Sequence, residues 1–312
     1  MALPAWQPPD DGSLGTSLSE VFKTQVFVLE REVNDYSDTS EIVRCRVADR
    51  GNLRFLCKYE VAGLVAPGSI AYEAAVYRNV LHALDVGTPY CYGMTKTPAG
   101  DCVVLDYLEN AELLDDEVIA LEHDEVVDLM LDAARWLGDF HRLCEQRFPD
   151  PGTLSLRPHD AAYYRHCLEQ VARLGLIVDM IPIIAERFEA TVATFLDQRR
   201  SITHGDFYGH NILVVNNRIR PIDWESAAID LAEADLVTLL EGWDADDVLA
   251  CEEAYCQRRW PAGAPDDFLQ AVGVARLCHA LHNLARPGQV DAAPVAYYEL
   301  EARDAAATLG IL

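Results

Sequence analysis

The first apolar runs of the chain are short. Residues 26–33 (VFVLEREV), 41–48 (EIVRCRVA) and 53–60 (LRFLCKYE) are rich in Val, Ile, Leu and Phe. Turn-like NDYSDTS and DRGN separate them, as in an antiparallel meander. The period then changes. Ile70, Tyr77, Val80, Leu81 and Leu84 fall at helical spacing across residues 69–84, and Ser69, after Pro67-Gly68, is placed to cap that helix. Two more strands are expected at about 90–96 (YCYGMTK) and 102–108 (CVVLDYL). Together these make a β-β-β-α-β-β unit.

Beyond it the pattern is helical. Val126, Met130, Ala134, Leu137, Phe140 and Cys144 form one stripe across 124–145, and further helices are expected at 160–174, 184–199, 231–257, 266–285 and 294–308. ILVV and IRPID flank Asn216-Asn217, a hairpin signal. The fold class expected is α+β. A Pro/Gly/Ser/Asp-rich flexible segment covers residues 1–19, a sheet-rich lobe 20–108, and a helical lobe 109–312. The default place for an active site is between two such lobes.

Composition changes this picture in three ways. The length of 312 residues suits two lobes, and half the residues are hydrophobic, so a sizeable core can form. No apolar run approaches the ~18 residues of a membrane span, and MALPAWQPPDDGS has neither the basic nor the apolar region of a secretory signal. The nine cysteines are scattered without a CxxC, which reads as reduced core residues of a cytoplasmic protein. The formal charge of −26 argues against nucleic acid and against anionic membranes as partners. It is also unevenly spread. Ten Asp or Glu lie within 106–128 and eleven within 223–253, with no Lys or Arg in either stretch. Solvated faces and a cation-attracting surface both fit this distribution.

The densest chemistry is in ITHGDFYGHNIL (202–213) and PIDWE (221–225). Asp206 and Asn211 are five apart, and Asp223 lies twelve beyond Asn211, past the hairpin. A carboxylate, a carboxamide and a second carboxylate then meet at one end of a small sheet. Hard oxygen ligands suit Mg²⁺ rather than a soft metal. Asn and Asp on Mg²⁺, with another Asp to receive a hydroxyl proton, are the parts that phosphoryl transfer needs. A merely polar loop explains less, and a His/Asp hydrolase site leaves Asn211 without a role.

HGDxxxxN followed by IDWE resembles the aminoglycoside phosphotransferase and choline kinase family, which shares the two-lobed protein-kinase-like fold. The resemblance covers residues 20–245 and implies roles for named positions. Asp206 would be the catalytic base, and Asn211 and Asp223 would hold Mg²⁺. Lys58, on the third strand, would contact the phosphates of ATP or GTP and be held by Glu73, which shares the buried stripe of the following helix. Backbone groups near Asp106 and Leu108 would hold the nucleobase. His204 and Asp235 would support the catalytic loop, and His141 would be structural. The loop NDYSDTSE has no Gly, so Ser37, Thr39 and Ser40 would cover the phosphates instead, beside two Asp that repel them. In the resembled family the helical lobe builds the acceptor pocket, near the acidic blocks. A small hydroxylated cation, such as an aminoglycoside or amino alcohol, is therefore the expected acceptor, with Glu225, Glu241 and Asp244 as its candidate contacts; Glu225 could instead reach the surroundings of the metal, and the sequence does not decide between the two. A neutral sugar, an amino acid or a natural-product hydroxyl is the alternative acceptor. A nucleotide-binding regulatory protein without transfer is the alternative class.

Overall fold

The computed structural model describes residues 8–34, 39–60, 69–116, 121–286 and 292–312. These form two compact units: the described residues up to Leu113 with Asn211–Ser226, and those of Leu114–His210 with Ala227–Leu312.

In the first unit, β1 (Val26–Val33), β2 (Ser40–Val47), β3 (Gly51–Tyr59), β4 (Cys91–Thr97) and β5 (Gly100–Asp106) form an antiparallel sheet of order β1-β2-β3-β5-β4. Side chains alternate along β3. Phe55, Cys57 and Tyr59 join the core formed with Val43, Cys45 and Val104, which sends Leu56 and Lys58 to the other face. Residues 1–19 were expected to lack structure, but α1 spans Asp11–Phe22. The Asp10 carboxylate accepts the Ser13 N–H at 3.0 Å as its N-cap. Leu14, Leu18 and Phe22, four residues apart, form one face buried in the same core. Burying a Leu or Phe contributes about 1.5–3 kcal/mol, enough to order a short helix that composition alone disfavours. Residues 1–7 lie outside the described residues.

Helix α2 (Ile70–Val76) continues through a π-helical turn, Tyr77–Leu81, and a last turn, His82–Leu84. Ser69 caps it, accepting the Tyr72 N–H at 3.1 Å. A small sheet of order β10-β9-β6 completes the unit: β6 (Glu112–Leu113), β9 (Ile212–Val214) and β10 (Ile219–Pro221). The β9–β10 turn puts Asn216 and Asn217 at φ 50° and 56°, the left-handed region that Asn tolerates.

In the second unit, α3 (His123–Arg147) packs along the later helix at 245–259. Gly138 permits the approach, since a Cβ there would lie 2.5 Å from the Tyr255 carbonyl oxygen. Helices α4 (Ala161–Leu174) and α5 (Ile181–Phe188) follow, and the chain reaches a second three-stranded sheet, β7-β11-β8, formed by β7 (Arg157–Pro158), β8 (Arg200–Thr203) and β11 (Ala228–Leu231). The single helix expected over 231–257 is instead the end of β11, then α6 (Glu233–Leu239) and α7 (Ala245–Arg259). The chain breaks at Gly242, φ 84°, which ends one helix, and Asp244 begins the next as its N-cap. Helix α8 (Phe268–Leu284) is buried nearly all round, in a core shared with α4, α5 and α9 (Ala292–Thr308). All nine cysteines are free, and all but Cys256 are buried. No helix among the described residues is long and apolar enough to cross a membrane.

Candidate active site

Period-two alternation puts Lys58 on the α2 face of the sheet, and helical period puts Glu73 on the buried face of α2. The two meet: Lys58 Nζ lies 3.0 Å from Glu73 Oε2. The same ammonium donates to Asp223 Oδ1 at 2.6 Å and lies 3.6 Å from Glu225 Oε2. One cation is therefore shared by three carboxylates. Burial works against the charged Lys58, but Glu73 and Asp223 outweigh it and hold its pKa above the ordinary value. Burial pushes the Glu73 carboxyl up to about 7, because its share of the Lys58 charge does not offset complete desolvation.

This has a consequence for stability. With a folded pKa of about 7 against an ordinary 4.5, Glu73 keeps a proton in the folded state that the unfolded chain releases. Across that window the folded state binds more protons, so stability falls as pH rises. The contribution is at most about 3 kcal/mol. In the ligand-free protein, Glu73→Gln is expected to flatten the decline of Tm between those two pH values. An unaltered slope would rule out Glu73 as its source.

The other ligand candidates arrive through the β9–β10 hairpin. Pro221 pairs with Ile212, and one step further the Ile222 N–H donates to the Asn211 carbonyl at 2.9 Å. Asn211 and Asp223 thus come to the same end of the hairpin. Asp223 itself has φ 60°. A 3₁₀ turn, Trp224–Ser226, with Trp224 fully buried, then folds Glu225 back toward Lys58. Glu225, expected either around the metal or at the acceptor, lies beside Lys58. Glu73, Asp223 and Glu225 each offer an oxygen within 4.8 Å of the others. Three carboxylates against one ammonium leave excess negative charge, and hard oxygens favour Mg²⁺ or Ca²⁺, so this donor set fits a divalent cation.

The remaining residues expected around the nucleotide are less uniform. Ser40 opens β2 directly opposite Lys58, and its hydroxyl is buried, accepting from Asn34 Nδ2 at 2.8 Å. Ser37 lies outside the described residues. Asp106 ends β5, where its N–H donates to the Tyr90 carbonyl at 2.7 Å, so that N–H is already engaged. Leu108 follows in the half-buried segment after β5.

In the second unit, β8 ends at Thr203 and leads straight into His204, Gly205 and Asp206. Asp235, from α6, shapes this turn. Its carboxylate accepts the His204 N–H at 2.7 Å and the Gly205 N–H at 2.9 Å, and lies 3.3 Å from His141 Nε2. Gly205 takes φ 80°. His204 is fully buried and meets the Phe207 ring edge-on, whereas the Asp206 side chain is 42 % exposed. Asp206 can therefore reach a substrate from a fixed backbone. His141 continues the polar chain inward. Its Nδ1 lies 3.0 Å from the Tyr255 hydroxyl, which accepts from Arg259 at 2.6 Å. Arg259 also donates to Glu233 at 2.9 Å and to Glu145 at 2.5 Å. Tyr255, Glu233 and Arg259 were not singled out from the sequence. A polar residue on a helix's buried face is the only signal there, and it does not say which partner it meets.

Asp206 Oδ2 lies 4.0 Å from His210 Nε2, and Tyr208, between them in sequence, turns toward α6 and α8. The Tyr208 hydroxyl donates to Glu241 Oε2 at 2.5 Å, with His279 Nε2 at 3.2 Å from the same oxygen. Burial raises the Glu241 carboxyl, but these hydrogen bonds outweigh it and hold its pKa below the ordinary value. Glu241 lines a cavity of about 690 Å³ within this unit, whose walls also carry Trp243, Glu252, Arg276, Tyr297 and Glu301. Asp244 is not among the lining residues, although its neighbours Trp243 and Ala245 are. At the N-terminus of α7 its charge already has a favourable environment.

The family model described as "Phosphotransferase enzyme family" matches residues 43–268. No curated protein matches the sequence. Among solved structures, choline kinase from Streptococcus pneumoniae superimposes with a TM-score of 0.56 at 14% identity, covering 90% of this chain and 94% of that one. The GDP complex of an aminoglycoside 2'-phosphotransferase-IIIa mutant gives 0.59 at 14% identity, covering 96% of each chain. An amicoumacin kinase in complex with AMP-PNP and Ca²⁺ gives 0.55 at 11% identity, covering 90% of this chain and 87% of that one. At such identities the likeness is one of fold, and the α+β, protein-kinase-like fold is the one expected from the sequence.

Proposed function

Because this chain belongs to the phosphotransferase enzyme family, we propose that it transfers the γ-phosphate of ATP or GTP to a hydroxyl of a small cationic acceptor. The observation that carries this reading is the Lys58 ammonium, held at 3.0 Å from Glu73 and 2.6 Å from Asp223. A half-buried Lys fixed by a buried Glu presents a positive charge to phosphate oxygens. Nucleotides in solved neighbours, GDP in one and AMP-PNP with Ca²⁺ in another, support the nucleotide and the divalent ion. Asn211 and Asp223 would hold Mg²⁺, with Glu225 beside them; when bound, the ion neutralises phosphate charge. Lys58 binds the α and β phosphates. Leu108 and the backbone near Asp106 hold the base, and Ser40 lies on the Lys58 side of the sheet. Asp206 orients the acceptor hydroxyl and takes its proton as attack develops, while Asp235 and His204 keep the turn in shape.

The cationic acceptor is supported by the cavity of the second unit, with Glu241, Glu252 and Glu301 on its walls. Choline kinase and aminoglycoside phosphotransferase, among the fold's solved members, act on cations of this kind.

The test is Mg²⁺-dependent transfer from ATP and from GTP to aminoglycosides, amino alcohols and neutral sugars. The expected result is a phosphorylated cationic product, with an acceptor KM that rises with salt as charge attraction is screened. Transfer to neutral sugars alone would reject the cationic acceptor. Nucleotide binding with no product from any class would reject the enzyme.

A further inference from the structure

Asp206 can act from a fixed position only if its backbone is held on both sides. Residues 204–208 belong to no helix or strand, so side chains have to hold them. Upstream, the Asp235 carboxylate accepts the His204 and Gly205 N–H groups. Downstream, two side chains take up the task. Phe207 is fully buried, its ring stacked on Trp136 with centroids 5.7 Å apart. Tyr208, half-buried, donates its hydroxyl to Glu241 Oε2 at 2.5 Å. His279 Nε2, on α8, lies 3.2 Å from that oxygen and 3.3 Å from the hydroxyl. Glu241 and His279 are each only 16 % exposed. The three-way contact is thus shielded from water, where a hydrogen bond to a charged group is strong. Asp235 lies on α6 and Glu241 just past its end, so one element holds the turn from both sides.

We propose that Tyr208 is a positioning residue: anchored on Glu241 and His279, it fixes the downstream side of the turn that presents Asp206. The role of Asp206 itself rests on the phosphotransferase reading above. On this assignment the Glu241 carboxylate serves as the hydrogen-bond acceptor for Tyr208, a task that a neutral amide oxygen can also perform. Releasing the hydroxyl leaves Asp206 held from the upstream side and by Phe207 alone, and its carboxylate loses its aim.

The test combines steady-state kinetics with amide hydrogen exchange on the full chain and on Tyr208→Phe, Glu241→Ala, Glu241→Gln and the Tyr208→Phe/Glu241→Ala double variant. Phenylalanine keeps the ring, which stacks on His210 with centroids 5.5 Å apart, and removes only the hydroxyl. Tyr208→Phe is expected to lower kcat about 10- to 100-fold, the cost of a misplaced catalytic group, with the KM of nucleotide and of acceptor little changed. Exchange is expected to quicken across residues 205–210 and to stay as in the parent along β8. Glu241→Ala should quicken the same segment and lower kcat similarly. The double variant should be no slower than the worse single one, because both remove the same contact. Glu241→Gln should recover most of the kcat lost in Glu241→Ala. A kcat in Tyr208→Phe within about twofold of the parent, or losses that add in the double variant, overturns the assignment. Exchange is read without substrate, so the two readings fail separately. Quickened exchange in the variants, with no phosphorylated product from the parent, upholds the anchor and rejects transfer alone. Product from the parent, with exchange and kcat unaltered in the variants, rejects the role of Tyr208 alone.

Discussion

Alanine at Asp206 is expected to leave a folded protein that still binds nucleotide and transfers phosphate about 100- to 10,000-fold more slowly. The fold should survive because the side chain is 42 % exposed, so its removal opens no core cavity. Nucleotide binding should survive because Lys58, Glu73, Asn211 and Asp223 are all in the other unit. On the proposed mechanism, what is lost is the acceptor of the hydroxyl proton, and with it the orientation of the nucleophile. The loss should therefore appear in kcat, with acceptor KM little altered. Asp206→Asn separates the two contributions, since it keeps the shape and a hydrogen-bond acceptor but cannot take the proton. Turnover within about tenfold of the parent in the alanine variant, less than positioned general bases usually contribute, would remove Asp206 from the chemistry.

Asp235→Ala is expected to have the opposite signature: a large loss of stability, with activity falling as a result. The carboxylate accepts two backbone N–H groups, from His204 and Gly205, and lies 3.3 Å from His141. Asp235 and His141 are both essentially inaccessible to water. Alanine strands the His204 N–H and the His141 imidazole in the core, at a cost of about 3–5 kcal/mol. Asp235→Asn should recover little, because its NH₂ can face a neighbouring N–H only by giving up an acceptor. Denaturant unfolding of both variants checks this. A midpoint equal to the parent's in Asp235→Ala would mean that the turn at 204–206 does not depend on this carboxylate.

How far the sequence reaches depends on the range of the interaction. Asn216-Asn217 marks its hairpin because both residues must take positive φ, a property of the residues themselves. Ser69 caps α2 through an N–H three residues away. The break at Gly242 and Asp244 was equally local, with a helix-ending Gly and a helix-starting Asp, yet the apolar stripe hid it. The order of α1 was hidden by the reverse effect, since Gly, Ser and Asp surround a clear Leu14, Leu18, Phe22 stripe. Charge alone grouped Asp244 with Glu241 and left Glu225 undecided between the metal and the acceptor. Charge does not say which way a turn folds, and the 3₁₀ turn after Asp223 takes Glu225 to Lys58.

The sequence by itself determined the β-β-β-α-β-β order, the α+β class, and the spacing that sets Lys58 and Glu73 on facing surfaces. Each follows from the period of a strand or a helix, which any short window carries. Only the tertiary structure decided the partners. Lys58 meets Asp223 across 165 residues, and His141 meets Asp235 across 94. It also decided that Glu241 is satisfied by Tyr208 and His279. A side chain's type states how many partners it needs; which ones it finds depends on how distant elements pack, and no local pattern records that.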